Sequence, residues 1–394
     1  MSDIQLNSQN KNFRIPLFYL VTIFFWFAMY TYVPVLGVYV EQLGASHRMA
    51  GLIMGSYGFV QMLLRIPLGI ASDKLHKRKL FINFGLSFTF FSAMGMFLTK
   101  NLTLILISRS LAGAAAATWV DFTILYTSYY KDNEATSAIG VISFFNGIAQ
   151  MLAMLMGGLL AEKISVGSTF ALGAAVGGIG LIASLFIVDN FKQNSKKITL
   201  KDTGEVIRDR NLIAVSFLAI LSQLLTFSTV FGFTPVYAKA IGASSFDLGL
   251  LAVCASLPNA LASLWSGKYL SKKYGEKNCV IIGFLLMGIT TVTIPFISNI
   301  GLLMFTQAIS GVGRGISFTL LMGLSIKNIA GERRATAMGF FQSIYGLGMF
   351  LGPVLVGVLG DAFDLGKAFV FLGILGFLTA FGAFKLISVK YSEK

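Results

Sequence analysis

The chain has 394 residues, 55% of them hydrophobic and 12% charged, with a mean hydropathy of +0.76. A soluble domain carries about twice that charge fraction, and no interior of this size hides so much apolar surface, so the bilayer must solvate most of it. The net charge of +14 sits in short loops between apolar runs, the pattern of membrane orientation and not of nucleic-acid binding. Cys254 and Cys279 lie in or beside apolar runs and His47 and His76 are the two histidines; neither a disulfide framework nor metal-ligand spacing results, and no cofactor or metal is expected.

Residues 1–13 form a polar tail, and Phe13 to Val40 is an apolar run too long for a signal-peptide core. It reads as a retained first span. A helix crosses the hydrocarbon with about 20 apolar residues. Cutting at charge and turn clusters predicts spans at 14–40, 50–71, 80–99, 102–129, 136–161, 168–189, 211–239, 246–270, 278–298, 301–326, 335–360 and 367–388. The fold class is all-α, with both termini on one side. With the N-terminus inside, 23 Lys and Arg fall on the cytoplasmic side, five on the opposite side, and three, Arg65, Arg109 and Arg314, within spans. That bias places both termini in the cytoplasm. The polar segment 191–210 reads as a cytoplasmic linker between two six-span bundles, 14–190 and 211–388, and 389–394 as a cytoplasmic tail.

The two halves repeat each other. LGAS at 43–46 recurs as IGAS at 241–244, an offset of 198 that also relates Gly51 to Gly249, Gly69 to Gly267 and Gly113 to Gly311. One residue of slippage then relates Gly158 to Gly357 and Glu162 to Asp361. This is duplication of a six-helix unit. Parallel repeats place a substrate path between the halves, on a pseudo-two-fold axis along the membrane normal.

The loop after the second span reads Gly69-Ile-Ala-Ser-Asp73-Lys-Leu-His-Lys-Arg-Lys79, with a weaker copy at Gly267 to Lys277 in which Ser271 replaces the acid. With Arg109-Ser-Leu-Ala-Gly113 in span four, it resembles the major facilitator superfamily, and the Arg-x-x-x-Gly element resembles its drug:proton antiporter branch. His76 stands where the family has a second glycine, and Gly352-Pro353 lies in span eleven where exporters carry such a pair in span five. The resemblance implies a secondary active transporter, coupled to protons and working by alternating access. It further implies that Gly69, Asp73, Lys74, Lys77 and Arg78 latch the cytoplasmic ends of the halves. Physically, glycine permits close helix approach, and the Asp73 carboxylate suits the positive end of span eleven, which starts on the same side.

Charges inside spans are costly and mark function or buried pairs. Asp121 is the acid in mid-span. It lies about 18 Å toward the cytoplasm from Arg109 at 1.5 Å per residue, at the depth of Arg65. It is expected either to pair with Arg65 or to carry a proton through the cycle. Arg109 and Arg314 fall on similar faces of spans four and ten. They either clamp a carboxylate or phosphate or bond backbone inside their own bundles; the direction of Arg314 discriminates. Polar and aromatic candidates for a solute cavity are Trp26, Tyr30, Tyr32, Tyr57, Gln61, Trp119, Asn146, Gln150, Gln223, Asn259, Gln342 and Tyr345.

No Gly-x-x-x-x-Gly-Lys-Ser/Thr run exists, and Gly178-Ile-Gly180-Leu-Ile-Ala183 lies inside a span with no strand before it, so enzyme and nucleotide-site readings fail. The expected function is movement of a small organic solute by a monomer in a bacterial cytoplasmic membrane. The alternatives are an organic-anion carrier using Arg109 and Arg314 and, in another class, a lipid-handling or receptor-like membrane protein.

Overall fold

A computed structural model describes residues 2–130, 134–189, 208–327, 329–330 and 333–387. Its regular elements are all helical, and twelve are long and apolar enough to cross a membrane. These are α1 (Arg14–Gln42), α2 (His47–Leu75), α3 (Arg78–Leu98), α4 (Leu102–Thr127), α5 (Ser137–Lys163), α6 (Val166–Ser184), α7 (Arg210–Ala240), α8 (Ser245–Tyr274), α9 (Glu276–Phe296), α10 (Ile300–Lys327), α11 (Thr336–Ala362) and α12 (Leu365–Leu386). The predicted spans match them to within a few residues. One difference is that the backbone helix leading into α1 already begins at Ser2, inside the expected tail. Most of the expected linker, 191–207, and the tail 389–394 lie outside the described residues.

Helix packing reproduces the repeat. In the first half α2 packs on α4, α3 on α6 and α1 on α5; in the second α8 packs on α10, α9 on α12 and α7 on α11. Small residues set these approaches, because lipid tails supply no hydrophobic drive between helices and close contact must. A Cβ on Gly113 would collide with the Tyr57 carbonyl, and one on Gly311 with the Ala255 carbonyl, at the same offset of 198.

Proline interrupts two spans. α1 breaks at Thr31–Tyr32, just before Pro34. α7 contains a π turn over Thr229–Phe233, with Gly232 at φ −115°, ψ −109°, ahead of Pro235. Proline lacks the N–H that would continue the ladder, and both breaks fall where the halves meet.

Candidate functional site

One face of the molecule carries the 1–2, 5–6, 7–8 and 11–12 loops and is here called the far face. The other carries the 2–3, 4–5, 8–9 and 10–11 loops and is the terminal face. The halves close on the far face along three helix pairs. α1 meets α7 where a Cβ on Gly37 would stand 3.1 Å from the Val236 side chain. α5 meets α8 where a Cβ on Gly249 would stand 2.7 Å from the Met154 carbonyl. α2 meets α11 where a Cβ on Gly55 would stand 2.7 Å from the Phe350 carbonyl. Nothing lies within 4 Å of the Cβ direction of Gly69, Gly140, Gly267 or Gly339, all toward the terminal face on the same four helices α2, α5, α8 and α11. The closest backbone approaches between the halves lie toward the far face, and along α2–α11 the contact continues inward to Gly346, whose Cβ would stand 2.9 Å from Met62.

On the terminal face, Arg78 opens α3 and turns inward: it is 2% exposed although it belongs to a run of surface charge. Its Nη1 donates to Asp121 Oδ1 at 2.6 Å and to Ser72 Oγ at 3.0 Å, and its Nη2 donates to Asp73. Ser72 donates in turn to Asp121 at 2.5 Å, while Asp121 Oδ2 is buried with no hydrogen-bond partner. A fully buried carboxylate is tolerable only when paired and bonded in this way. The expected Arg65–Asp121 pair does not form. Arg65 shares the depth of Asp121 but points across to α11, where its Nη1 donates to the Gln342 carbonyl and the Tyr345 hydroxyl, each at 3.3 Å. Asp73 is bonded to Arg78 within its own half, and Gly69 faces open space. Lys74 and Lys77 are exposed.

Near mid-membrane the two remaining arginines are held inside their own halves. Arg109 lies over the Tyr57 ring at 4.6 Å and the Tyr32 ring at 5.6 Å and donates to Tyr32 Oη at 3.4 Å. Arg314 donates from Nε to Asn259 Oδ1 at 3.1 Å and from Nη2 to the Ala255 carbonyl at 3.2 Å, with its plane 5.8 Å from the Phe231 ring. Arg314 thus braces α8 through two of its nitrogens, while its Nη1 is buried with no hydrogen-bond partner.

Aromatic rings link the halves. Trp119 meets Trp26 at 5.1 Å, Trp26 meets Tyr30 at 5.8 Å, and Tyr30 meets Phe231 of α7 at 6.0 Å. Tyr57 lies parallel to Phe227 of α7, 6.3 Å away. Trp26 Nε1 and Gln61 Oε1 are buried without partners. Gln150 donates to Asn146 one turn earlier on α5, and Gln223 is half-buried on α7.

Several residues escaped the sequence reading. Pattern alone assigns Ser72 no role, and it places Arg78 in the surface latch with no sign that the side chain is buried against Asp121. Phe227 and Phe231 were lost among 36 Phe. Glu162 and Asp361 were noticed as a repeat pair, without a role. Asp361 Oδ1 accepts from His47 N at 2.9 Å and Oδ2 from Arg48 N at 3.0 Å, across the α2–α11 contact. Glu162 Oε2 accepts from Ser245 N at 2.8 Å, across the α5–α8 contact.

Twelve membrane helices in two equivalent sets of six, joined along three helix pairs, define a multi-pass integral membrane protein of the transporter class. The chain belongs to the Major Facilitator Superfamily, whose family model matches residues 18–244 and 215–394. It is 25% identical over 352 residues to the uncharacterized MFS-type transporter MJ1560 of Methanocaldococcus jannaschii, covering 86% of this chain and 89% of that protein. It is 23% identical over 356 residues to the quinolone resistance protein NorA of Staphylococcus aureus, covering 87% and 88%. Among solved structures, the nucleoside transporter NupG superposes with a TM-score of 0.76 at 16% identity, covering 95% of this chain and 100% of that one. A bacterial homolog of the human lysosomal transporter Spinster, in an inward-facing and occupied conformation, superposes with 0.77 at 14%, covering 94% and 96%. These proteins are transporters and not enzymes, as the sequence reading expected of this chain.

Proposed function

We propose that the chain is a secondary active transporter that moves a small organic solute across a bacterial cytoplasmic membrane by alternating access. The carrying observation is that α2–α11 and α5–α8 pack tightly on the far face while the glycines of the same helices face open space on the terminal face. With both termini in the cytoplasm, as the basic loops favour, this is the inward-open state. The likeness to the Spinster homolog in its inward-facing conformation agrees with it. The quinolone resistance named for NorA makes an amphipathic drug-like solute the first to try.

Protons are the proposed coupling ion, and Asp121 the group that carries them. It is fully buried, one of its oxygens is unbonded, and its other oxygen is held by Arg78 and Ser72, both within reach of the terminal-face surface. Arg78 also holds Asp73, so a change at Asp121 reaches the residue proposed to latch the terminal face. Alternating access then consists of separating the far-face contacts while Gly69 and Asp73 engage the start of α11.

The test is transport by the purified chain in proteoliposomes, across anionic, neutral and cationic solutes, with and without an imposed pH gradient. Solute movement that follows the gradient and is lost in Asp121→Asn supports the reading. Movement that ignores the gradient removes the proton-coupled part, and movement of no solute removes the whole.

A further inference from the structure

The two far-face contacts are the same contact made twice. On one side, a Cβ on Gly158 of α5 would meet the Ser245 carbonyl at the start of α8, and a Cβ on Gly249 of α8 would meet the Met154 carbonyl of α5. On the other, a Cβ on Gly357 of α11 would meet the His47 carbonyl at the start of α2, and a Cβ on Gly51 of α2 would meet the Pro353 carbonyl of α11. Each residue maps onto its counterpart through offsets of 198 or 199. The match extends to the acids. Glu162 takes the first N–H of α8, and Asp361 takes the first two of α2.

The chemistry of the helix starts makes these bonds matter. The first four N–H groups of a helix have no partner within it. Each helix supplies caps of its own: in α2 Ser46 Oγ accepts from Met49 N at 3.3 Å, and in α8 Ser244 Oγ accepts from Asp247 N at 3.1 Å while Asp247 Oδ2 accepts from Ser244 N at 2.9 Å. A carboxylate from the other half takes one more N–H of α8, that of Ser245, and two more of α2, those of His47 and Arg48. That carboxylate also sits at the positive end of the helix dipole. Opening the far face must therefore uncap two helices at once and take two carboxylates away from the helix ends they face.

We infer that Glu162 and Asp361 form a paired clasp that holds the far face shut, each acid lent by one half to the first turn of a helix in the other. The inference rests on the alternating-access reading and goes beyond it in naming what must be released. It differs from the proposed Gly69–Asp73 latch in membrane face, residues and state: the clasp closes the far face when the terminal face is apart.

The test uses the full chain in intact cells, with Cys254 and Cys279 replaced by Ala and one probe introduced as Met54→Cys. Met54 is buried just beneath the closed contact, 5% exposed, with its sulfur beside Gly37. Labelling by a membrane-impermeant maleimide from outside reports far-face opening. Glu162→Gln and Asp361→Asn each keep one acceptor oxygen but lose the charge, and are each expected to raise the labelling rate about two- to fivefold, the worth of that charge at a helix start, and the double variant more. Asp364→Asn is the control, because Asp364 caps α12 through Lys367 N at 2.7 Å within one half and should leave labelling unchanged. Equal rates in all variants, or an equal rise in Asp364→Asn, overturn the clasp.

A second measurement covers variants that fail to fold. Cysteines placed at Glu162 and Ser245 should cross-link on oxidation, stop solute movement, and be restored by reductant. Full transport by the cross-linked chain overturns the clasp as well. Labelling needs no substrate, so a negative transport screen leaves this test decisive.

Discussion

Arg78 and Asp121 are bonded at 2.6 Å with both side chains almost wholly buried, and the same guanidinium holds the exposed Asp73. One residue of a surface charge cluster thus connects an acid in water to an acid inside the membrane. Removing Arg78 leaves the Asp121 carboxylate without its charged partner, which costs about 3–5 kcal/mol in a buried pair. Arg78→Ala should accordingly lower the unfolding temperature in detergent far more than Asp73→Asn does. Adding Asp121→Asn to Arg78→Ala should recover part of the loss. No recovery in the double variant would show that the two side chains are not energetically coupled.

Asp121→Asn keeps the shape and one acceptor oxygen while removing the charge and the proton site. The expected result is a folded protein that still binds solute but no longer concentrates it against a gradient when pH is imposed. Transport with an unaltered pH response would place the coupling group elsewhere.

Arg65 is the cross-half bond nearest the terminal face among those on α2 and α11, reaching Gln342 and Tyr345. Tyr345→Phe removes one acceptor at a cost of about 0.5–1.5 kcal/mol. Because the bond is made between halves, that energy should appear in the balance between open states and not in folding. Turnover should change up to about tenfold with the unfolding temperature nearly constant. A large drop in unfolding temperature would mean that the bond is structural.

Asp73 and Ser271 occupy equivalent loops, but only Asp73 carries charge. In this state Ser271 merely donates to the Gly267 carbonyl one turn back, at 3.0 Å. If the Gly69–Asp73 latch engages the dipole of α11 elsewhere in the cycle, Asp73→Asn should slow transport about two- to fivefold, and Ser271→Ala should not. Equal effects would reduce the loop to a topology marker.

Arg109 and Arg314 offer a further contrast. Arg314→Gln should loosen α8 against α10 and lower the unfolding temperature, since Asn259 and Ala255 lose their donor. It should leave the preference among anionic and neutral solutes unchanged. A selective loss of anions would favour the organic-anion carrier reading, with the unpartnered Nη1 as the group that binds them.

Much of the fold was legible because its signals are long: apolar runs of membrane length, basic loops on alternate sides, and an offset sustained over more than half of each repeat. The site was less legible because depth along a helix does not fix azimuth. Arg65 and Asp121 share a level, yet one faces α11 and the other α3. Arg78 sits among Lys74, Lys77 and Lys79, where a charge run reads as solvated. Its inward turn depends on the place where α3 starts, which pattern does not set to the residue. Glu162 and Asp361 were within reach: the repeat paired them, and the Ser of LGAS and IGAS marked the helix starts that they cap.

The doubled far-face contact has a historical consequence. Two identical six-helix chains facing each other across a two-fold axis would have made both contacts from one set of residues, since a symmetric interface presents the same patch on each partner. A single substitution in such an ancestor would have altered both sides together. Once the copies were fused, each could change alone, and the present pairs record that drift: His47 against Ser245, Pro353 against Met154, a bidentate Asp361 against a single-bonded Glu162. The half bearing Asp361 now grips its neighbour with two bonds where the other uses one, so a device born symmetric has acquired a stronger and a weaker side.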